Sequence, residues 1–384
     1  MAYKIRFVNP QKQYADHRDE LLGAIDDVLS RGALLTPKEL GEFEENFAKF
    51  CGVKYAVGLN SGTSALDVAL QAAGIGPDDE MITVAHTFIA SISTICLTGA
   101  KAVLIDVGDD FNMDAKLIEK ALSPKTKAIL PVHLNGRLCD METIMQIAKD
   151  KGLIVIEDAA QALDATMKMK DGSVKKAGTF GFAGCFSLYW AKALGGPGTS
   201  GIAITNDQEI AKKMRLMRYN GEDRETRHFY YHAHNFLMDN IRAAFLNVKL
   251  KYLPQWLERR KEIAEFYHQG LAEVPEVRLP HFNDPRRTDI YNNYVIRAER
   301  RDELKKYFDD NELIETLVQW TSPMYKEPAM ESTKGTLWRF GDDKDFLPET
   351  EKICREVISL PMYPELTNEE VQFVTKTIKD FYRS

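Results

Sequence analysis

No stretch of this 384-residue chain is apolar for long enough to cross a bilayer, so a membrane helix is not expected. The opening MAYKIRFVNPQKQYADHRDE lacks the basic start, apolar run and small-residue cleavage site of a targeting signal, which makes a cytoplasmic location the expectation. Cysteine is scarce. The five residues, Cys51, Cys96, Cys139, Cys185 and Cys354, form no CxxC pair and show no zinc spacing, so they are read as buried thiols rather than metal ligands. A surplus of positive charge is also missing: 50 Lys and Arg stand against 57 Asp and Glu, a net charge of -7. That balance leaves no electrostatic footprint for a nucleic-acid backbone or an anionic membrane. There is no internal repeat, no low-complexity segment and no GxxxxGK[ST] phosphate loop.

What is present is the composition of a packed soluble protein, 44% hydrophobic and 28% charged, with enough chain for a large domain and a smaller one. From Tyr55 onward, apolar runs alternate with helical patterns: YAVGLN then SALDVALQAAG, MITVA then TFIASISTICLTG, KAVLIDV then MDAKLIEKALS, KAILPVH then DMETIMQIAKDKG, and LIVIED. Such alternation predicts an α/β architecture with a mostly parallel sheet covered on both faces. The runs FAGCFSLYW and GIAITN lie too close together for a crossover and predict an antiparallel pair. Residues 239–269 read as helices interrupted near Pro254. We place a large domain at 1–255 and a smaller α+β domain at 256–384, the latter with a strand in YNNYVIRAE and a turn-rich loop from Trp320 to Leu347.

Lys192, in FSLYWAKALGG, follows a strand and opens a glycine-rich turn; Asp158, in LIVIEDAAQA, ends another strand at the carboxyl edge where open α/β sheets bind ligands. Each has an ordinary reading alone, a solvated lysine and a helix-capping acid. Together, an amine that can form an imine and a carboxylate that can keep a ring nitrogen protonated point to pyridoxal 5'-phosphate chemistry. Gln161 stands three residues after Asp158 as a possible donor. Ser61, Gly62 and Thr63 fall at a strand-to-helix turn, which is either an N-cap or a phosphate cradle. The turn GGPGTSG matches GxGxxG at Gly196, Gly198 and Gly201, yet the strand-like IAITN follows where a dinucleotide fingerprint needs a helix. Cys185 sits in an apolar run and reads as a small hydrophobe. His232 and His234 lack a third ligand, so no metal is expected.

The segments NSGTSAL, TFIAS, TKAILPVHLNG, EDAAQA, FSLYWAK, NGEDRETRHFYYHAHNF and LPMYPEL occur in the order found in the DegT/DnrJ/StrS sugar aminotransferases, which the chain resembles over nearly its whole length. The resemblance implies a fold-type I aminotransferase, dimeric with a shared active site. It implies that Lys192 holds the cofactor, Asp158 pairs with the pyridinium nitrogen and Gln161 lies near the ring hydroxyl. Gly62, Thr63 and Ser187 would bind the phosphate, Phe88 would stack on the ring, and Asn235 would reach the phosphate from the partner subunit. The implied reaction moves an amino group from glutamate or glutamine to a keto sugar, in this family's pattern a nucleotide-linked one. Relatives that act as dehydratases carry histidine in place of this lysine.

The chain departs from the family pattern in places. Pro197 to Gly201 replace the usual acidic glycine turn, Leu237 follows Asn235 and Phe236 where arginine is common, Leu163 replaces a histidine, and VQWTSPMY surrounds Trp320 in place of an HYP-type loop. These positions bear on substrate contacts. A keto-cyclitol or other carbonyl acceptor, and a non-catalytic cofactor-binding sensor, therefore stand as alternative readings.

Overall fold

In the computed structural model, which describes residues 3–35, 37–280, 284–340 and 347–383, the chain opens with two helices, α1 (Pro10–Ser30) and α2 (Pro37–Cys51). Strands and helices then alternate: β1 (Tyr55–Leu59), α3 (Gly62–Ala72), β2 (Glu80–Val84), α4 (Ile89–Leu97), β3 (Lys101–Ile105), α5 (Ile118–Ala121), β4 (Thr126–Ile129), α6 (Met141–Lys151) and β5 (Ile154–Asp158). A hairpin of β6 (Thr166–Lys168) and β7 (Val174–Lys176) precedes β8 (Ala183–Ser187) and β9 (Gly201–Thr205). Helices α7 (Gln208–Arg218), α8 (Asn240–Leu250) and α9 (Leu253–Leu271) follow.

The large sheet runs β1-β9-β8-β5-β4-β2-β3, and Trp338–Phe340 adds a parallel edge strand beside β3. Strand β9 pairs antiparallel with both β8 and β1, while β5 pairs parallel with β8 and with β4. The expected antiparallel pair is therefore present, and among the described strands of this sheet β9 alone runs reversed. Consequently the carboxyl ends of β1, β5 and β8 and the amino end of β9 share one edge, where a ligand would meet several loops at once. Successive residues face opposite sides: Ile82 and Val84 enter one apolar core and Met81 and Ala85 the other, so the strands are buried on both faces.

Helix α9 begins with Pro254 in its first turn, where a missing N–H costs nothing, and the helical run expected to break near Pro254 breaks there. Its Trp256 and Leu257 belong to the core under the large sheet, and its Ile263, Tyr267 and Leu271 to a third core over a separate antiparallel sheet. That sheet is Val277–Arg278, Tyr294–Ala298 and Val357–Leu360, covered also by the helix Asn368–Arg383. Two local expectations differ. MDAKLIEKALS forms only a 3-10 turn capped by Asp114 and the single turn α5, because Leu122 is already extended two residues before Pro124. The loop from Trp320 contains the helical turns Met324–Lys326 and Pro328–Glu331 and the edge strand; its residues 341–346 lie outside the described set.

Candidate active site

Strand β5 delivers Asp158 to the shared edge, 5% exposed. Its Oδ2 accepts from Ser91 Oγ at 2.7 Å and its Oδ1 from the N–H of Ala160 at 3.2 Å. No helix follows it, so the capping alternative does not apply. Burial pushes the carboxyl above its ordinary value, against the pull of those bonds and of the Lys192 charge. A buried carboxylate with a cation in its vicinity suits a role as counter-ion.

Lys192 lies in the turn after β8 and is half-buried. The turn closes on itself: the N–H of Lys192 donates to Tyr189 O at 2.8 Å, that of Gly196 to Leu188 O at 2.9 Å and that of Trp190 to Gly198 O at 3.0 Å. Gly195 is required there, since a Cβ would lie 2.2 Å from Trp190 O. Next to Lys192, the N–H of Ala193 donates to Asn292 Oδ1 at 3.3 Å. Burial pushes the Lys192 amine down to about 8, with the Asp158 charge opposing.

The strand-to-helix turn at Ser61 to Thr63 forms an N-cap. Ser61 caps α3, its Oγ accepting from the N–H of Ser64 at 3.0 Å, and the first-turn N–H groups of Gly62 and Thr63 have no place in the helical ladder. A Cβ on Gly62 would lie 2.8 Å from Ser187 Cβ, and one on Gly201 would lie 2.1 Å from Ser61 O. Only glycine lets the helix start, the end of β8 and the start of β9 meet so closely. The first-turn N–H groups of Gly62 and Thr63 therefore open beside the Ser187 end of β8, an arrangement chemically suited to a phosphate group.

The remaining candidates fall into two groups. Gln161 Oε1 accepts from the N–H of Asn135 at 2.7 Å, leaving its amide NH2 as the end that can donate. Phe88, 60% exposed, precedes α4, and its carbonyl accepts from the N–H of Ser91, the residue that binds Asp158. Asn235 is exposed and its Oδ1 accepts from the N–H of Leu237 at 3.3 Å, while the neighbouring Phe236 O accepts from Asn60 N–H beside the cradle. Cys185 is buried, donates to Ala65 O at 3.3 Å, and burial pushes its thiol well up, as a core residue rather than a nucleophile. His232 and His234 are exposed, and among the described residues no cluster of three metal-binding side chains occurs.

Three contributors were not singled out from the sequence. Ser91 lies in the TFIAS segment, three residues after Phe88, so helical spacing was an available signal. Asn135 and Asn292 come from distant loops, and nothing in their sequence surroundings marks them.

A buried acid, a half-buried lysine of lowered basicity and a helix start offering N–H donors form a donor set that suits pyridoxal 5'-phosphate: an aromatic ring nitrogen, an aldehyde and a phosphate. Comparison with known proteins points the same way. The DegT/DnrJ/EryC1/StrS aminotransferase family matches residues 15–379. A pleiotropic regulatory protein of Geobacillus stearothermophilus is 37% identical over 376 residues, covering 97% of each chain. The dTDP-3-amino-3,4,6-trideoxy-alpha-D-glucose transaminase of Streptomyces venezuelae is 35% identical, covering 98% of this chain and 96% of its own. The crystal structure of S. venezuelae DesV in complex with a ketimine intermediate superposes with a TM-score of 0.91 at 34% identity, covering 99% of both chains. The chain belongs to the DegT/DnrJ/EryC1/StrS family and is an aminotransferase of fold type I whose cofactor is pyridoxal 5'-phosphate.

Proposed function

We propose that this aminotransferase takes an amino group from glutamate or glutamine and delivers it to a nucleotide-linked keto sugar, with Lys192 holding the cofactor. The observation that carries the reading is the pairing of a lysine of lowered basicity with a buried acid at one sheet edge. The acceptor class is supported by the Streptomyces relative, whose name specifies a dTDP-linked amino sugar.

Pyridoxal phosphate, when bound, supplies a sink for the electron pair left as a substrate C–H proton departs. Asp158, oriented by Ser91 and the Ala160 N–H, would hold the ring-nitrogen proton in place by its charge. Lys192 moves the proton. With its amine near 8, roughly a tenth of it is neutral at pH 7, against roughly one part in 3,000 for an ordinary lysine. Gly62, Thr63 and Ser187 would bind the phosphate, the Gln161 amide would donate to the ring hydroxyl, and Phe88 would pack against the ring.

Asn235 completes the site from a partner subunit. Its segment exposes Phe229, Tyr230 and Tyr231, and the site's own surroundings expose Phe88, Tyr189 and Trp190. Aromatic surface on both sides supports a homodimer in which each copy covers the other's cofactor.

The test is direct. Enzyme, cofactor and glutamate are incubated with a dTDP- or UDP-linked keto sugar and, in parallel, with a keto-cyclitol, and products are read by mass spectrometry. Amination of the sugar alone is expected; amination of the cyclitol alone overturns the acceptor assignment. The relative named as a regulatory protein supports a second reading, a cofactor-binding sensor, for which neither acceptor is aminated and glutamate leaves the visible absorbance unchanged.

A further inference from the structure

Lys249, in the last turn of α8, is 6% exposed, and its Nζ donates to Gly195 O at 2.6 Å, on the turn that carries Lys192. An ammonium has three N–H donors, and this carbonyl takes one. Phe245 and Trp256, 5.7 and 5.4 Å from Nζ to the ring centres, add only weak attraction at that range. Lys249 also lines a cavity of about 300 Å³ between α1 and the glycine turn, whose walls include Tyr14, His17, Trp190 and Phe245.

A narrower cleft adjoins it, sharing Pro10, Gln13 and Trp190, and reaches Lys192, Arg260 and Glu365. Arg260 is 4% exposed; its Nη1 donates to the carbonyls of Tyr291, Asn292 and Met362, and its Nε has no acceptor. Glu365 is the sole carboxylate among the described lining residues of either space, and its Oε1 already accepts from Gln13 Nε2 at 3.1 Å. Burial pushes the Lys249 amine down to about 8, Arg260 reinforcing and Glu365 opposing, and pushes Arg260 down to about 10. Two desolvated cations with fewer acceptors than donors stand along one path to the reacting lysine. An incoming anion would return the solvation that burial removed.

We propose that the cavity beside Lys249 receives an oxyanion of a substrate, with Lys249 as its ammonium partner and the aromatic walls holding the group that bears it. The inference rests on the amine-transfer reading of the Lys192 site and adds where the charged end of a substrate is recognised. Two sources share this chemistry: the phosphates of a nucleotide-linked acceptor and the carboxylates of the amino donor.

The holoenzyme, in which the cofactor fills its own phosphate cradle, is titrated calorimetrically with sulfate and with glutarate. Wild type, Lys249→Met and Lys249→Arg are compared. Lys249→Met is expected to weaken binding by about 10-fold or more, the usual effect of losing a hydrogen bond to a charged group, and Lys249→Arg to retain it. Wild-type affinity should also fall from pH 7 to pH 9 as the ammonium loses its proton; neither probe titrates in that window. Loss confined to sulfate assigns the anion to the acceptor's phosphate, and loss confined to glutarate, with a raised KM for glutamate, assigns it to the donor. Loss of both means that the two half-reactions share the seat. Failure of both probes to bind, equal affinity of wild type and Lys249→Met for both probes, or affinity for both unchanged across the pH window overturns the proposal. If Lys249→Met does not fold, the wild-type pH titration decides alone. Because binding is read directly, failure to aminate any keto sugar leaves the result interpretable.

Discussion

Asp158 is held in its charged form by Ser91 Oγ, the Ala160 N–H and the Lys192 amine, while burial at 5% exposure works against it. Its folded-state value lies above the ordinary 3.8, so below 3.8 the burial costs nothing. As pH rises through the raised value, the folded protein is left with a penalised charge, and that penalty persists at neutral pH. Asp158→Asn in the apoprotein is therefore expected to melt no lower than wild type at pH 7, while amine transfer falls by about 100-fold or more. A melting point several degrees below wild type would contradict this account of the site. Lys192 shows the opposite sign: its depressed value penalises the fold below about pH 8, and the penalty lifts as pH rises toward 10.5. Lys192 should accordingly contribute up to ~3 kcal/mol to a climb in apoprotein stability across that window, so Lys192→Met should climb less than wild type between pH 8 and pH 10 in denaturant titrations, the remainder coming from Lys249. Both residues were readable from the sequence because each sits at a strand end next to a recognisable apolar run. Asn135, Asn292 and Arg260 were not, since their roles depend on contacts between segments far apart in the chain.

The cradle is built by close approach between elements rather than by any one of them. With a Cβ at Gly201 placed 2.1 Å from Ser61 O and 2.5 Å from the backbone N of Gly62, Gly201→Ala must push β9 away from the start of α3. A loss of about 1–3 kcal/mol or more is expected, together with weakened cofactor binding, measurable by melting and by cofactor titration. Gly23, on the exposed side of α1 with nothing within 4 Å, is the control: Gly23→Ala should stabilise by up to ~1 kcal/mol and leave cofactor affinity unchanged. Equal effects from the two substitutions would refute the close-contact argument. The alternation that predicted β1 to β5 and the antiparallel β8 and β9 worked because those strands are five or so residues long and buried on both faces. Trp338–Phe340 escaped notice because three residues within a turn-rich loop display no period. The Pro124 stop shows a different failure, in which apolar spacing was right for a helix and the local backbone was not.

At the scale of the whole molecule, the proposed role of Asn235 calls for two copies to make one site. If Asn235 serves the partner's cofactor, subunits carrying Lys192→Ala and subunits carrying Asn235→Ala should each be inactive alone. Co-expressed, they should recover activity, because half of randomly assembled dimers are mixed and each of these holds one intact site, giving roughly a quarter of wild-type turnover. Recovery absent from a chromatographically verified mixed dimer would place Asn235 in its own subunit's site or outside any site. The long helix α9, with Trp256 in one core and Tyr267 in another, ties the Lys192 region to the C-terminal sheet, so cofactor binding and the stability of both parts are expected to be coupled.

The measurement that bears most directly on the central claim is the visible absorbance of the purified protein loaded with pyridoxal phosphate, followed on adding glutamate and then a nucleotide-linked keto sugar. A Lys192→Ala variant is treated in parallel. The wild type should lose its visible band with glutamate and regain it with the keto sugar, and the variant should do neither. A wild-type band indifferent to glutamate and glutamine, or a Lys192→Ala variant that cycles as the wild type does, would contradict Lys192 as the residue on which amine transfer turns.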